Sequence, residues 1–527
     1  MEIESKYDYD LFVIGGGSGG LSAAKKASQL GAKVGLADFV TPSPLGTKWG
    51  LGGTCVNVGC IPKKLMHFAS TLGEAKFDQK NAGWEVDTSI RHNWSKMQKT
   101  VATHIKRLNW SYKKKMSTQG VKYFNRYATF KDQHTLILRN KKGKEIEVTA
   151  DKIIIATGGR PTYLRIPNAR ELTITSDDIF WRKNSPGKTL VIGGGYIAVE
   201  CAGFLRGMGH EVDVLVRSVI LKKFDRDMIL RVLRDMEERG IKLLRGGLQS
   251  LEKKNSRILA KYEIERNADL IEGGILEEMI SEKAQISEEY DTVLLAIGRT
   301  PETSKIGIDK IGIIPESNGK IKCNENYQTN VENVFIIGDI RYDSPELTPV
   351  AIKEGIFLAN VLFGKKPMKP INYNAVATTI YSPLEYSSVG LSEENAILQY
   401  GAENIEVYHK SFKPLEWNFC NSRENISCYC KVIVDKPNKE MVLGIHYVGP
   451  NAGEVMQGYS LALTRETTFN ELKDVGKNIF FICLFFESFI FFLFRKSFFF
   501  EINFLSWYSS HKCRRNSYFI KNKARRS

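Results

Sequence analysis

The sequence predicts an α/β protein with two Rossmann-like nucleotide-binding domains and a separate α+β domain. Three observations predict it. A strand–glycine–helix–strand opening occurs near the N-terminus and recurs in mid-chain. The stretch 366–470 changes texture to shorter alternating runs. With 527 residues the chain has room for about three to five domains. Hydrophobic residues make up 43% and charged residues 25%. That composition excludes a collagen-like, disordered or disulfide-scaffold chain.

The first opening starts with an apolar run at 9–14, which ends in glycines. Residues 18–30 read as a helix and 33–37 as a second strand. Gly15-Gly-Gly17-Ser-Gly-Gly20 fits G-x-G-x-x-G in the strand-to-helix context that the motif requires. Gly15 permits the tight turn, Gly17 lets the backbone approach a pyrophosphate, and Gly20 lets the helix pack closely. The helix N-terminus then faces the phosphates. Asp38 follows the second strand, where a carboxylate can accept from ribose hydroxyls.

A Lys-rich helical stretch, 95–116, and strand-like segments up to 151–156 separate this opening from the next. There 189–192 runs into Gly193-Gly-Gly195-Tyr-Ile-Ala198, with Ala in the third place of the motif. Residues 196–208 read as a helix and 211–216 as a strand. No acid follows that strand. Arg217 and Lys222-Lys223 follow it instead, and cations there suit a 2′-phosphate, favouring NADPH over NADH.

Segments 153–161 and 294–301 look like strand-end crossings between the two units. Segment 334–339 ends a strand with Asp339, an acid placed to meet a flavin ribityl chain. These point to FAD at the first site. Thr54 and Gly158 join Asp339 as candidate FAD contacts, and Tyr196 and Arg299 are candidate NADPH contacts. The expected division is 1–160 with 295–365 for FAD, 161–294 for NADPH, 366–476 for an interface domain, and 477–527 for an atypical tail.

The most specific signal is Gly52-Gly-Thr-Cys55-Val-Asn-Val-Gly-Cys60-Ile-Pro-Lys63-Lys64. Cysteines five apart on a regular helix stand about 7.5 Å apart along its axis. A disulfide needs Cα atoms about 4.4–6.8 Å apart. The segment must therefore be irregular, and Gly59 supplies the means. A close pair beside a cofactor can cycle between dithiol and disulfide. A helix terminus and the nearby Lys63 would both lower a thiol pKa.

Net charge is +16, but half of it lies in the last stretch: 477–527 holds ten Lys/Arg against two Asp/Glu. The rest is spread out, without zinc-finger or RNP-like spacing, so no nucleic-acid partner is expected. Nine cysteines is a sparse, odd number, pointing to a reducing compartment. The polar start shows no targeting segment, so the expected location is cytoplasmic. Residues 480–504 hold twelve of the 28 phenylalanines. The apolar run 479–494 is shorter than the roughly 20 residues of a spanning helix. It reads as translated AT-rich non-coding sequence or, alternatively, as a tail anchor; a membrane association is not the favoured reading.

On these residues the chain resembles the class I pyridine-nucleotide disulfide oxidoreductases. Segment 38–65, DFVTPSPLGTKWGLGGTCVNVGCIPKKL, is similar to the large flavin thioredoxin reductases and thioredoxin-glutathione reductases. So are SFKPLEW at 411–417, PLEYSSVGLSEE at 383–394 and GPNAGEVMQGYSLAL at 449–463. The resemblance spans roughly 7–476. It implies Cys60 as the thiol next to the flavin and Cys55 as the interchange thiol. It implies that Lys63 and Glu200 pair near the reactive edge of the flavin, with Tyr196 as an aromatic gate. Arg217 and Lys222 would hold the 2′-phosphate; Lys222 stands where these reductases usually have Arg, so a bidentate grip is lost. The interface domain implies a homodimer. Electrons would pass from NADPH through FAD and Cys55–Cys60 to thioredoxin or a similar disulfide substrate.

The chain departs from that pattern after Asp474-Val475-Gly476. The family continues with Ile-His-Pro-Thr, whose His from the partner subunit serves the interchange thiol, and ends in a Gly-Cys-selenocysteine-Gly redox tail. Here Lys477-Asn478-Ile479-Phe480 follows, and no His-Pro occurs. A glutaredoxin domain in front is also missing. His446 reads as a strand residue, Cys428 and Cys430 as ordinary thiols, and His511 beside Cys513 as incidental. Two readings stay open: a thioredoxin reductase whose written C-terminus is faulty, or a truncated FAD- and NADPH-binding flavoprotein with diaphorase activity only or none.

Overall fold

The computed structural model describes residues 6–265, 270, 283–365, 370–420 and 426–475. The Phe-rich stretch 477–527, with His511 and Cys513, lies outside them.

The first sheet has a parallel core in the order Lys122–Phe124, Val34–Ala37, Tyr9–Ile14, Glu145–Ile155, Val334–Ile336. Leu11 pairs with Val34 on one side and Lys152 on the other. Successive side chains of a strand point to opposite faces, and Tyr9–Ile14 uses both. Leu11 and Val13 pack with Leu21, Ala24 and Leu358, whereas Phe12 and Ile14 pack with Phe130, Leu136 and Ile306. A strand buried on both faces reads as a continuous apolar run rather than an alternating one. Helix Ser18–Gln29 crosses helix Thr348–Phe363 closely. A Cβ on Gly355 would lie 2.5 Å from the Gly19 carbonyl oxygen.

The second sheet repeats the pattern. Strands Lys242–Lys254, Val212–Val216, Thr189–Ile192 and Thr292–Leu295 run parallel in that order. An antiparallel ribbon, Arg257–Glu265 and Lys283–Tyr290, extends it. Helix Tyr196–Gly207 follows the glycine motif. The two expected crossings meet each other: Gly159–Pro161 pairs antiparallel with Arg299–Pro301, Arg299 opposite Pro161.

The third sheet is antiparallel, in the order Thr378–Ile380, Tyr386–Gly390, Met441–Val448, Cys428–Asp435, Ile405–Phe412. Helices Glu393–Tyr400, Ala452–Thr464 and Phe469–Asp474 accompany it. This is the α+β texture expected for that stretch. The Lys-rich stretch folds as helix Trp94–Thr118, capped by Asn93, whose side chain accepts from Lys96 N. Its buried side, Val101 and Ile105, packs on Val56 beneath the redox segment.

Candidate active site

The redox segment is broken where the sequence required a break. Helix Gly53–Val58 stops, Gly59 turns at φ −148°, ψ −117°, and helix Cys60–Asn81 begins at the second cysteine. The turn brings the Cα atoms of Cys55 and Cys60 to 4.6 Å, and the two form a disulfide. Asn57 holds the segment from below. Its side-chain amide donates to the Gly53 and Gly50 carbonyls, and its oxygen accepts from Asn109 Nδ2 at 2.9 Å. Cys60 Sγ lies 3.6 Å from Thr348 Oγ1, the first residue of the 16-residue helix Thr348–Phe363. A helix N-terminus favours negative charge, so that contact would favour the thiolate of Cys60 once the disulfide opens.

A cleft of about 1480 Å³ opens above the disulfide. That exceeds the roughly 300–1,000 Å³ of an ordinary small-molecule pocket. Gly15, Gly17, Asp38, Thr54, Gly158 and Asp339 line it, as do Lys63, Tyr196, Glu200 and Arg299. The glycine turn fits a dinucleotide. Gly15 adopts φ +111°, and a Cβ there would meet the Ala156 carbonyl oxygen at 2.3 Å. A Cβ on Gly20 would meet the Gly15 oxygen at 2.0 Å. Asp38 Oδ1 accepts from Gly16 N at 2.9 Å, bracing the turn. Burial raises the Asp38 carboxyl above its usual value, and the Gly16 N–H partly offsets this. Thr157 Oγ1 is buried on the cleft wall and has no hydrogen-bond partner among the described residues. Buried polar atoms seldom stay unsatisfied. The large cleft, the turn without side chains and the Thr157 hydroxyl together fit a bound FAD.

Lys63 Nζ donates to Glu200 Oε1 at 2.8 Å. Tyr381 N donates to the same oxygen at 3.0 Å. The Tyr381 ring lies under two ammonium groups, Lys63 at 4.4 Å and Lys64 at 4.1 Å from its centroid. Behind it, buried His67 Nε2 is 3.0 Å from Glu385 Oε1. Tyr381, His67 and Glu385 escape sequence reading because they meet only through the fold. Arg299 Nη2 donates to Thr54 Oγ1 at 3.1 Å and to the Gly159 carbonyl, so it stands at the redox end of the cleft. Burial, then Glu346, raises the Asp339 carboxyl. Tyr196 is 40% exposed, but desolvation of its hydroxyl on the cleft wall, then Glu200, pushes that group up to about 12.

The second glycine motif reaches this wall only through Tyr196 and Ile197; its glycines lie outside the lining. Gly193 adopts φ +136°, and a Cβ would lie 2.2 Å from the Ala296 oxygen, the counterpart of Gly15 and Ala156. Around Gly195 there is open space. Arg217 and Lys222 are exposed and form no ion pair among the described residues, while Lys223 reaches the cleft. His446 is buried in its strand, bonded to Tyr386 and the Leu391 carbonyl. Cys428 and Cys430 are buried, and burial pushes the Cys430 thiol well up, as for ordinary structural cysteines. Among the described residues no helix is long and apolar enough to cross a membrane.

A redox disulfide under a doubled nucleotide-binding fold defines a class of flavin-linked reductases. The family model for pyridine nucleotide-disulphide oxidoreductases matches residues 9–355, and that for their dimerisation domain matches 376–482. The chain belongs to this family: it is an FAD-dependent NADPH:disulfide oxidoreductase. It is 48% identical to thioredoxin reductase SEP1 of Emiliania huxleyi over 474 residues, 88% of this chain and 92% of that protein.

Proposed function

We propose that this protein reduces the disulfide of thioredoxin or a similar small dithiol protein, as a cytoplasmic homodimer. The Cys55–Cys60 disulfide, set between the cleft and the Lys63–Glu200 pair, carries this reading. FAD bound in the cleft supplies the two-electron relay between nicotinamide and disulfide. The glycine turn at Gly15 and Asp38 would hold its pyrophosphate and ribose, Asp339 would meet its ribityl chain, and Thr54 would contact it as well. Arg217 and Lys222 grip the NADPH 2′-phosphate, and Tyr196 covers the nicotinamide approach. Cys60 keeps the thiolate facing the cleft, while Cys55 attacks the incoming disulfide. The matched dimerisation domain supports the homodimer, and the sparse, odd count of nine cysteines in the sequence suits a reducing compartment.

The test is NADPH oxidation by the FAD-loaded chain with thioredoxin disulfide, glutathione disulfide or an artificial dye as acceptor. Thioredoxin turnover well above the others is expected. Dye reduction alone would replace this reading with that of a flavoprotein diaphorase.

A further inference from the structure

In helix Thr348–Phe363, TPVAIKEGIFLANVLF, the Glu354 side chain is 0% exposed. A buried carboxylate is tolerated only when its oxygens are satisfied. Here they accept four hydrogen bonds. Oε2 accepts from Gly338 N at 2.7 Å. Oε1 accepts from Arg341 Nε at 3.1 Å, Ser344 Oγ at 3.1 Å and Tyr373 Oη at 2.9 Å. Tyr373 is itself 2.9 Å from Tyr327 Oη, and the Arg341 guanidinium lies over both rings.

Three of these donors belong to one loop, 338–344, which carries Asp339 and Tyr342 into the cleft wall. That loop is costly to hold. Asp343 sits at φ +54°, a left-handed conformation that costs a non-glycine residue free energy. Its short helical turn, Gly338–Ile340, has only three residues and cannot fix itself. Glu354 ties its first N–H, its middle guanidinium and its last hydroxyl to one rigid helix.

We infer that Glu354 is a positioning residue for the flavin: its carboxylate preorganises loop 338–344 so that Asp339 meets FAD without reordering. The inference rests on the assignment of the cleft to FAD. The charge matters as well as the shape, because Arg341 is buried against it and charge-assisted bonds are the strong ones.

The experiment titrates FAD into the deflavinated full-length chain, followed by flavin fluorescence and visible circular dichroism. Variants are Glu354→Gln, Asp339→Asn and the double variant, with NADPH binding and thermal unfolding measured alongside. Glu354→Gln keeps the size of the side chain and tests the charge without opening a cavity. It is expected to weaken FAD binding about tenfold or more and to change the flavin dichroism, with NADPH affinity unchanged. In the Asp339→Asn background the same change is expected to weaken FAD less than about threefold, because the two act together. Equal losses in both backgrounds, or a wild-type FAD affinity in Glu354→Gln, would overturn the inference. No FAD binding by the wild-type chain would instead refute the assignment of the cleft, and this inference with it.

Discussion

Lys63 and Glu200 meet at 2.8 Å, Nζ to Oε1, across the junction of the redox helix with the first helix of the second nucleotide-binding unit. Both side chains are buried, 13% and 4% exposed. The carboxylate also receives Tyr381 N from the third sheet, so one oxygen joins three parts of the chain. Lys63→Met would leave that buried carboxylate without its cation. The expected result is an opening of Cys55–Cys60 by NADPH about 10²-fold slower, the scale of losing one preorganised electrostatic partner. Rapid-mixing absorbance would measure it. An unchanged rate would show that the pair is structural only.

Gly193→Ala separates the two nucleotide sites. Its Cβ would sit 2.2 Å from the Ala296 oxygen in a left-handed turn, so the second glycine loop must move. The purified variant is expected to keep its full flavin content and lose NADPH affinity by at least about tenfold. Loss of flavin with retained NADPH binding would reverse the assignment of the two motifs.

Arg217 is exposed at the end of strand Val212–Val216, where a ribose substituent would arrive. A hydrogen bond to a charged group contributes about 1.5–3 kcal/mol, or about tenfold to a hundredfold in affinity. Arg217→Ala is therefore expected to raise KM for NADPH by that factor and to leave NADH nearly unaffected. Equal losses with both would remove the 2′-phosphate from the account.

A buried ion pair fastens the second unit to the third sheet. Lys431 Nζ donates to Asp225 Oδ1 at 2.9 Å and to Glu393 Oε2 at 2.6 Å, with Lys431 and Asp225 2% and 0% exposed. Burial pushes the Asp225 carboxyl up, but His446 and Lys431 outweigh it and hold the group below its usual value. Burial opposes the charge of Lys431, yet Asp225 and Glu393 raise it above the usual lysine value. The depressed carboxyl contributes stability above about pH 3.9, lost as pH falls through its lower folded value. The raised ammonium contributes below about pH 10.4, lost as pH rises through its higher folded value. The contribution of this pair should therefore stay level across neutral pH and fall at both extremes, so the stability difference between the parent and a variant lacking the pair should do the same. Lys431→Met strands the buried Asp225 carboxylate and is expected to cost about 3–5 kcal/mol. Urea unfolding at several pH values checks both; a variant as stable as the parent would contradict the account of the pair.

What the sequence disclosed was what the local backbone demands. Gly15 and Gly193 stand where no side chain fits against Ala156 and Ala296, so they mark both turns in any reading of the chain. The spacing of Cys55 and Cys60 forces a break, and Gly59 was the residue able to supply it. Helix and strand limits near both motifs came within about two residues, the ordinary scatter at element ends. What stayed hidden depends on partners brought together over long distances in sequence. Asp225 and Lys431 are 206 residues apart. Glu354 belongs to no motif, and its partners at 338, 341, 344 and 373 come from the fold. Arg299, read as an NADPH contact, reaches Thr54 245 residues away, a contact no motif encodes.

The central claim is that electrons from NADPH reach Cys55–Cys60 through the cleft. Differential thiol labelling of the FAD-loaded chain, with and without NADPH under anaerobic conditions, tests it most directly. The account predicts that peptides carrying Cys55 and Cys60 become alkylated only after NADPH, while labelling of buried Cys201, Cys428 and Cys430 does not change. Flavin bleaching by NADPH with the Cys55–Cys60 disulfide still intact would contradict it.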